Sequence, residues 1–264
     1  MGKNQKLRTF YNNVYKKGEE KHFTNLVTKG TVSEESKEIL KELKWKAKNV
    51  LDVGCGTGFF AYNAAKKGAN VLGIDFSEQA IKIAKKKYKK SNLSYEQADV
   101  NNISGKYDVI VSIGTLEHMD DPLKILKLFK KHISPKGKII VTSPNWTNPR
   151  GYMLMTLLFL FDAPITLADL HYQTPTDFIQ YSRKLNMNLK WRTIDKSWAH
   201  GDILIKDFTK RLPNVLRDAN LPRKSKNIKN LINWIKTNVA SFDNSQLHSG
   251  ATGLYVFSFK TKSK

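Results

Sequence analysis

From Asn49 to Val141 the chain alternates short runs of β-branched and aliphatic residues with lysine-rich amphipathic segments. That alternation is how strand–helix–strand units of a parallel sheet read, because parallel neighbours need a crossover and not a hairpin. The strands are expected at Val50–Val53, Val71–Ile74, Leu93–Gln97, Tyr107–Ile113 and Lys138–Thr142, each near the ~5-residue mode of strand length. Helices should fill the gaps. One of them, Ser77 to Lys89, is well marked: Ser77 can cap its start, and Ile81, Ala84 and Tyr88 share a face. The lysines at 82, 85, 86, 87 and 89 then face solvent.

The pattern changes past Thr142. Pro144, Pro149, Pro164 and Pro175 break the chain, and between them Tyr152 to Phe161 is apolar except for Thr156. Ten residues do not cross a bilayer. The run reads either as a buried helix or as an amphipathic element against lipid or a greasy substrate, with burial the default. Leu189–Ile194 and Gly253–Phe259 read as the last two strands, paired antiparallel at one sheet edge, with 201–248 inserted between them. Residues 1–48, with Phe10, Tyr11, Tyr15 and Phe23 among charges, read as one or two helices that could cap a site.

At the end of the first strand stands Asp52-Val53-Gly54-Cys55-Gly56-Thr57-Gly58. Without a Cβ in the way, a glycine turn lets the backbone approach a ligand closely, ahead of a helix N-terminus. Dinucleotide sites use G-x-G-x-x-G, but here the third glycine comes one residue early, at Gly58. Asp52 would oppose a pyrophosphate and favour an ammonium group. Asp75, ending the second strand, is placed to accept ribose hydroxyls. Asp99, after the third strand, could accept from an adenine amine. The fourth strand runs into Gly114-Thr115-Leu116-Glu117-His118.

Together these residues resemble the class I S-adenosylmethionine-dependent methyltransferases over roughly 45–145 and more loosely to the C-terminus. The resemblance implies an α/β, Rossmann-like doubly wound sheet of seven strands, mostly parallel with the last antiparallel, carrying a helical lid and a C-terminal insertion. It implies S-adenosylmethionine as cofactor. Asp52, Gly54, Cys55, Gly56 and Gly58 would cradle the methionine part, Asp75 the ribose, and Asp99 the adenine amine; Phe76 and Val100 would sandwich the ring, and Gly114 and Glu117 would complete the contact. The implied domains are an N-terminal helical cap at 1–48 and a methyltransferase domain at 49–264, with an apolar lid at 145–175 and a basic insertion at 201–248.

Leu116-Glu117-His118 with Asp120-Asp121-Pro122 resembles the small-molecule and quinone-precursor O-methyltransferase branch. Some quinone-pathway members place a further carboxylate three residues before the Glu, where this chain has Gly114. Two ligands are too few for a dedicated cation, so no metal is expected. Methyl transfer from a sulfonium mainly requires an aligned nucleophile and the exclusion of water. For a hydroxyl acceptor, His118 is the best-placed base, with a loop-shaping and cofactor-contacting role for Glu117 and His118 as the alternative. His171, just before Thr174-Pro175-Thr176-Asp177 and its helix start, is the second catalytic candidate. Trp146, Arg150, Tyr152 and His200 are the substrate-side candidates.

Charge widens the list of partners. Lys plus Arg number 45 against 23 Asp plus Glu, a formal charge of +22, which attracts anionic partners. A small or lipid-linked acceptor with peripheral contact at an anionic membrane is one expectation. RNA is the weaker one, favoured by Arg211, Arg217, Arg223, Lys224, Lys226, Lys229 and Trp234 but disfavoured by Ser112-Ile-Gly-Thr115, where amino-directed nucleic-acid methyltransferases carry Asn/Asp-Pro-Pro-Tyr/Phe. A third alternative is a cofactor-binding partner protein without catalysis. Cys55 is the single cysteine, so disulfides and cysteine zinc clusters are excluded within the chain. No secretory leader and no run of about 18 apolar residues is expected, which makes the cytoplasm, or the membrane surface from that side, the expected location.

Overall fold

The computed structural model describes residues 31–166, 169–195, 201–238 and 249–260. Most of the expected N-terminal cap, 1–30, and His200 lie outside these residues. Helix α1 (Thr31–Lys41) precedes β1 (Asn49–Val53), α2 (Phe59–Lys66), β2 (Asn70–Asp75), α3 (Glu78–Lys87) and β3 (Leu93–Gln97). There follow β4 (Tyr107–Ile113), α4 (Pro122–His132), β5 (Ile133–Pro144), α5 (Pro149–Phe161), α6 (Pro175–Leu185) and β6 (Met187–Ile194). The chain ends in α7 (Gly201–Asp218), α8 (Ser225–Asn238) and β7 (Thr252–Phe259).

The seven strands form one mixed sheet in the order β3-β2-β1-β4-β5-β7-β6, mostly parallel with the last strand antiparallel. Parallel register is fixed by Val50 opposite Val71 and Val109, and by Val71 opposite Leu93. The order reverses direction between β1 and β4, and open α/β sheets hold ligands beyond the carboxyl ends of strands at such a switch. β1 is buried from Val50 to Val53 and β4 from Val109 to Ser112, as two-faced burial of a parallel sheet demands.

The expected helix at Ser77 is found with its cap: the Ser77 hydroxyl accepts from the Ala80 amide. It ends at Lys87, since Tyr88 turns extended and stacks on Tyr62 at 4.7 Å. β5 begins at Ile133, five residues before the expected Lys138, because Ile133 pairs with Tyr107 across a register shift. The last two strands pair at one end of the sheet as expected, but β7 lies inside β6, against β5.

The chain divides into two compact units. Among the described residues, the first comprises 31–143, 176–191 and 254–260. Its core gathers Leu51, Val53, Ile110, Phe129 and Ile139, with Phe178 stacked on Tyr255 at 3.6 Å. α1 is tied to this unit through Trp45, whose indole donates to the Leu40 carbonyl and packs edge-on against Phe60.

Among the described residues, the second unit comprises 144–166, 169–175, 192–195, 201–238 and 249–253, and within it the described parts of the expected lid and insertion segments share one core of Trp146, Leu154, Ile165, Leu204, Phe208 and Ile235. Within it, burial holds for Leu154 but not for Tyr152, Phe159, Leu160 or Phe161, which are exposed. The default reading of the apolar run as a buried helix is thereby corrected. α5 packs one face only, and an apolar run has the same sequence signature with one face packed or two.

Candidate active site

The glycine turn leaves β1 and enters α2 under backbone control. The amides of Gly54 and Cys55 both donate to the Ile74 carbonyl, binding the turn to the end of β2. Gly54 has φ +71°, and a Cβ there would lie 2.3 Å from the Thr115 methyl. Gly58, at φ +83°, is pressed against Tyr95, whose hydroxyl donates to its carbonyl at 3.1 Å. Any side chain at either position meets both a strained backbone and a collision.

Asp75 is a structural member of the turn as well as a ligand candidate. Its Oδ2 accepts from the Gly56 amide at 2.9 Å and its Oδ1 from the Ser77 amide at 2.8 Å. Each oxygen keeps a second lone-pair direction for a further donor. Burial pushes its pKa up, while the two amides pull it down.

Asp52 is held differently. It is buried, and its Oδ2 makes no hydrogen bond within the protein. Burial first, and the neighbouring Asp75 second, push its pKa up to about 8, partly offset by a hydrogen bond from the Ala61 amide. A buried carboxylate oxygen without a donor destabilises the charged form unless a cation reaches it. The two carboxylates and the Cβ-free turn thus fit a ligand with hydroxyls and a positive charge, as the aminopropyl sulfonium and ribose of S-adenosylmethionine require. Cys55 packs behind the turn against Gly73, and burial followed by the two acids pushes its thiol pKa up, which leaves it an inert thiol.

Asp99 caps a short 3-10 turn at Val100–Asn102, its Oδ1 accepting from the Asn101 amide and side chain. Phe76 and Val100 are half-buried at the ends of β2 and β3. Beyond β4, Gly114 turns at φ +56°, and its amide donates to the Thr142 hydroxyl, which in turn donates to Glu35 of α1. Leu116–His118 form a second 3-10 turn, with Glu117 buried and His118 half-buried. Asp52, Gly54, Cys55, Gly56, Gly58, Asp75, Phe76, Asp99, Val100, Gly114, Glu117 and His118 all belong to the first unit.

Tyr95, Thr115 and Thr142 were not singled out by sequence. Tyr95 is the one buried residue of β3, a strand the sequence did mark; the other two touch the turns only through residues far along the chain.

The remaining candidates belong to the second unit. Trp146 is buried with its indole N–H unsatisfied by the protein, edge-on to Tyr172 and beneath the Arg150 guanidinium. Arg150 is itself buried and ion-paired with Asp207, Nε to Oδ2 at 2.9 Å. Arg211 grips the same carboxylate at 3.2 Å and reaches the Ile165 carbonyl. Burial raises the Asp207 pKa, but the two guanidiniums outweigh it and hold the group below its ordinary value. Tyr152 lies on the exposed side of α5, and His171 is half-buried before α6.

Comparison with known proteins gives the same assignment for the cofactor-binding half. A family model described as a methyltransferase domain matches residues 44–200. The chain is similar to the ubiquinone biosynthesis O-methyltransferase of Acinetobacter baylyi, 34% identical over 172 residues that cover 61% of this chain and 70% of the relative. The Acinetobacter baumannii (strain ACICU) protein of the same description is 35% identical over 113 residues, covering 40% of this chain and 47% of its own. The chain thus spans about half the length of the second relative. Among solved structures, a methyltransferase from Thermotoga maritima shares the fold over 94% of this chain and 98% of its own, with TM-score 0.60 and 15% identity.

Proposed function

The chain belongs to the methyltransferase-domain family as a class I S-adenosylmethionine-dependent enzyme, and from that premise we propose that it methylates an oxygen of a small or lipid-linked hydrophobic acceptor. The observation that carries the donor side is the buried pair of carboxylates framing the glycine turn, one of them with a free oxygen. The name of the 34% identical relatives supports oxygen as the acceptor atom. The exposed apolar side of α5 supports an acceptor with a hydrophobic part.

Bound there, S-adenosylmethionine supplies a methyl group on a sulfonium sulfur, open to in-line displacement. In this reading Asp52 holds the ammonium group, and Asp75 accepts the ribose hydroxyls on the lone pairs its two amide donors leave. Asp99 accepts from the adenine amine, and Phe76 and Val100 flank the ring. The backbone of Gly54 to Gly58, with Cys55, lies under the methionine part, while Gly114 and Glu117 close the opposite wall. The protein's own part would be to align the acceptor and exclude water, with the positive charge that the donor brings leaving as the acceptor's proton for a base to take.

His118 takes the acceptor's proton at a ring nitrogen, the role its place after β4 suggests. On the acceptor side we retain Trp146, with its unused indole N–H, and His171. Arg150 serves as the buried partner of Asp207, and Tyr152 belongs to the outer face of α5.

The experiment is incubation of the protein with methyl-tritiated cofactor and a cell extract, followed by separation into solvent-extractable, RNA and protein fractions. Label is expected in the extractable fraction, released as methyl iodide by hydriodic acid, as methyl ethers require. Label confined to RNA and abolished by moderate salt would support an RNA acceptor instead. Cofactor binding with no transfer to any fraction would leave only a cofactor-binding partner protein.

A further inference from the structure

Two helices of the first unit, α3 and α4, turn charge outward. α3 places Lys82, Lys85, Lys86 and Lys87 in solvent, and α4 does the same with Lys124 and Lys131. α5 differs: over Pro149–Phe161 it has no Lys, Asp or Glu, and its one cation, Arg150, is turned inward onto Asp207.

What α5 shows to solvent is Tyr152 at 62% exposure, Phe159 at 76%, Leu160 at 69% and Phe161 at 49%. Tyr152, Thr156, Phe159 and Leu160 fall at i, i+4, i+7 and i+8, one stripe of a helix. The only hydroxyl in the middle of that stripe is neutralised, because the Thr156 Oγ1 donates to the Tyr152 carbonyl at 2.7 Å. No polar group of the stripe interior needs water. The helix cannot roll to hide it: Leu154 is locked in the core of the second unit, and a Cβ at Gly151 would meet the Trp146 carbonyl at 2.0 Å.

An uncharged, aromatic-ended stripe needs an apolar partner. A span is excluded for this helix, since 13 residues reach only about 20 Å against a hydrocarbon core of about 30 Å. A second copy would bring two bodies of formal charge +22 together. An anionic bilayer surface meets both features at once. The same unit carries, over 201–238, nine Lys and Arg against three Asp and no Glu, with Trp234 and Leu231 of α8 also exposed.

We propose that α5 is an interfacial docking helix whose Tyr152–Phe159–Leu160 face inserts among the headgroups of an anionic lipid bilayer, the basic α7–α8 segment supplying the attraction. Aromatic residues favour that depth, and each nearby Lys or Arg strengthens adsorption to anionic lipid. Docking gives the hydrophobic-acceptor reading a source for its substrate and rests on that reading only for its purpose; the binding itself requires no turnover.

The test is flotation of the full chain with vesicles of equimolar phosphatidylglycerol and phosphatidylcholine, beside phosphatidylcholine alone, comparing wild type with the Phe159→Ser/Leu160→Ser double variant. The expected result is flotation with the anionic vesicles, weakened by salt, and at least a tenfold smaller partition coefficient for the variant with an unchanged melting curve. Failure of the wild type to float overturns the proposal, as does equal binding by the variant, which would leave lysines alone responsible. A wild-type dimer that the variant converts to monomer, without flotation of either, assigns the face to a second copy and also overturns it. Cofactor binding, measured in parallel without vesicles, keeps the methyltransferase reading separate from this outcome.

Discussion

Substituting Asp52 by Asn removes an ionisable group and almost no volume from the buried end of β1, and its effect can be worked out from the electrostatics there. With the Asp52 pKa near 8 in the free protein, the group is about nine-tenths protonated at pH 7, and ionising it costs about 1.4 kcal/mol. Capture of an ammonium group by this oxygen must therefore release a proton below pH 8. Cofactor affinity should rise roughly tenfold per pH unit well below that value. Above it the trend reverses, because the ligand's own amino group, with a pKa of about 7.7–8.0, loses its charge.

The wild-type protein should thus give a bell-shaped plot of log affinity against pH with its maximum near 8, measured by calorimetry in buffers of differing ionisation heat to count the protons. Asp52→Asn should lower the maximum and abolish the acidic limb. The free proteins should diverge in the opposite sense. Asp52 has a folded pKa raised above the ordinary 3.8, so its contribution to stability is lost as pH rises from about 4 to about 8. The Asn variant should therefore melt above wild type at pH 8, with the gap closing towards pH 4. An acidic limb that survives in Asp52→Asn would refute the ammonium contact.

Three further outcomes are expected. Asp207→Ala leaves Arg150 buried without its partner, which should cost about 3–5 kcal/mol in guanidinium unfolding; a loss below about 1 kcal/mol would mean that water reaches the site. Gly58→Ala meets φ +83° and the Tyr95 hydroxyl at 2.5 Å. It should lower stability by about 1–2 kcal/mol from the backbone alone and weaken cofactor binding at least tenfold, read by melting with and without ligand. His118→Gln should reduce kcat by about a hundredfold or more if the ring is the base, with cofactor affinity within about twofold of wild type; a loss confined to cofactor affinity would make it a wall of the cofactor site.

The donor side was legible in the sequence because its signals are local. The β-branched runs mark the strands, the glycines mark a turn that no other residue can follow at Gly54 and Gly58, and each acid sits at a strand end where the topology fixes its position. The Ser77 cap was readable for the same reason. Pro135 and Gly137 hid the first half of β5, since they look like a turn and the pairing of Ile133 with Tyr107 is a tertiary event. Arg150 gave no sign of its partner because Asp207 lies 57 residues away. Nor could the run Tyr152–Phe161 reveal which side would be covered, as periodicity vanishes when both faces are apolar.

The central claim is that the turn from Asp52 to Gly58, closed by Asp75, holds S-adenosylmethionine. Titration of the purified chain with the cofactor in a calorimeter at pH 8, for wild type and Asp75→Ala, tests it most directly. Removing Asp75 takes away the acceptor of the Gly56 and Ser77 amides together with the proposed ribose contact. The account predicts one binding site in the wild type and at least a hundredfold loss in the variant. Equal affinity in the two proteins, or no heat from the wild type at millimolar cofactor, would contradict it.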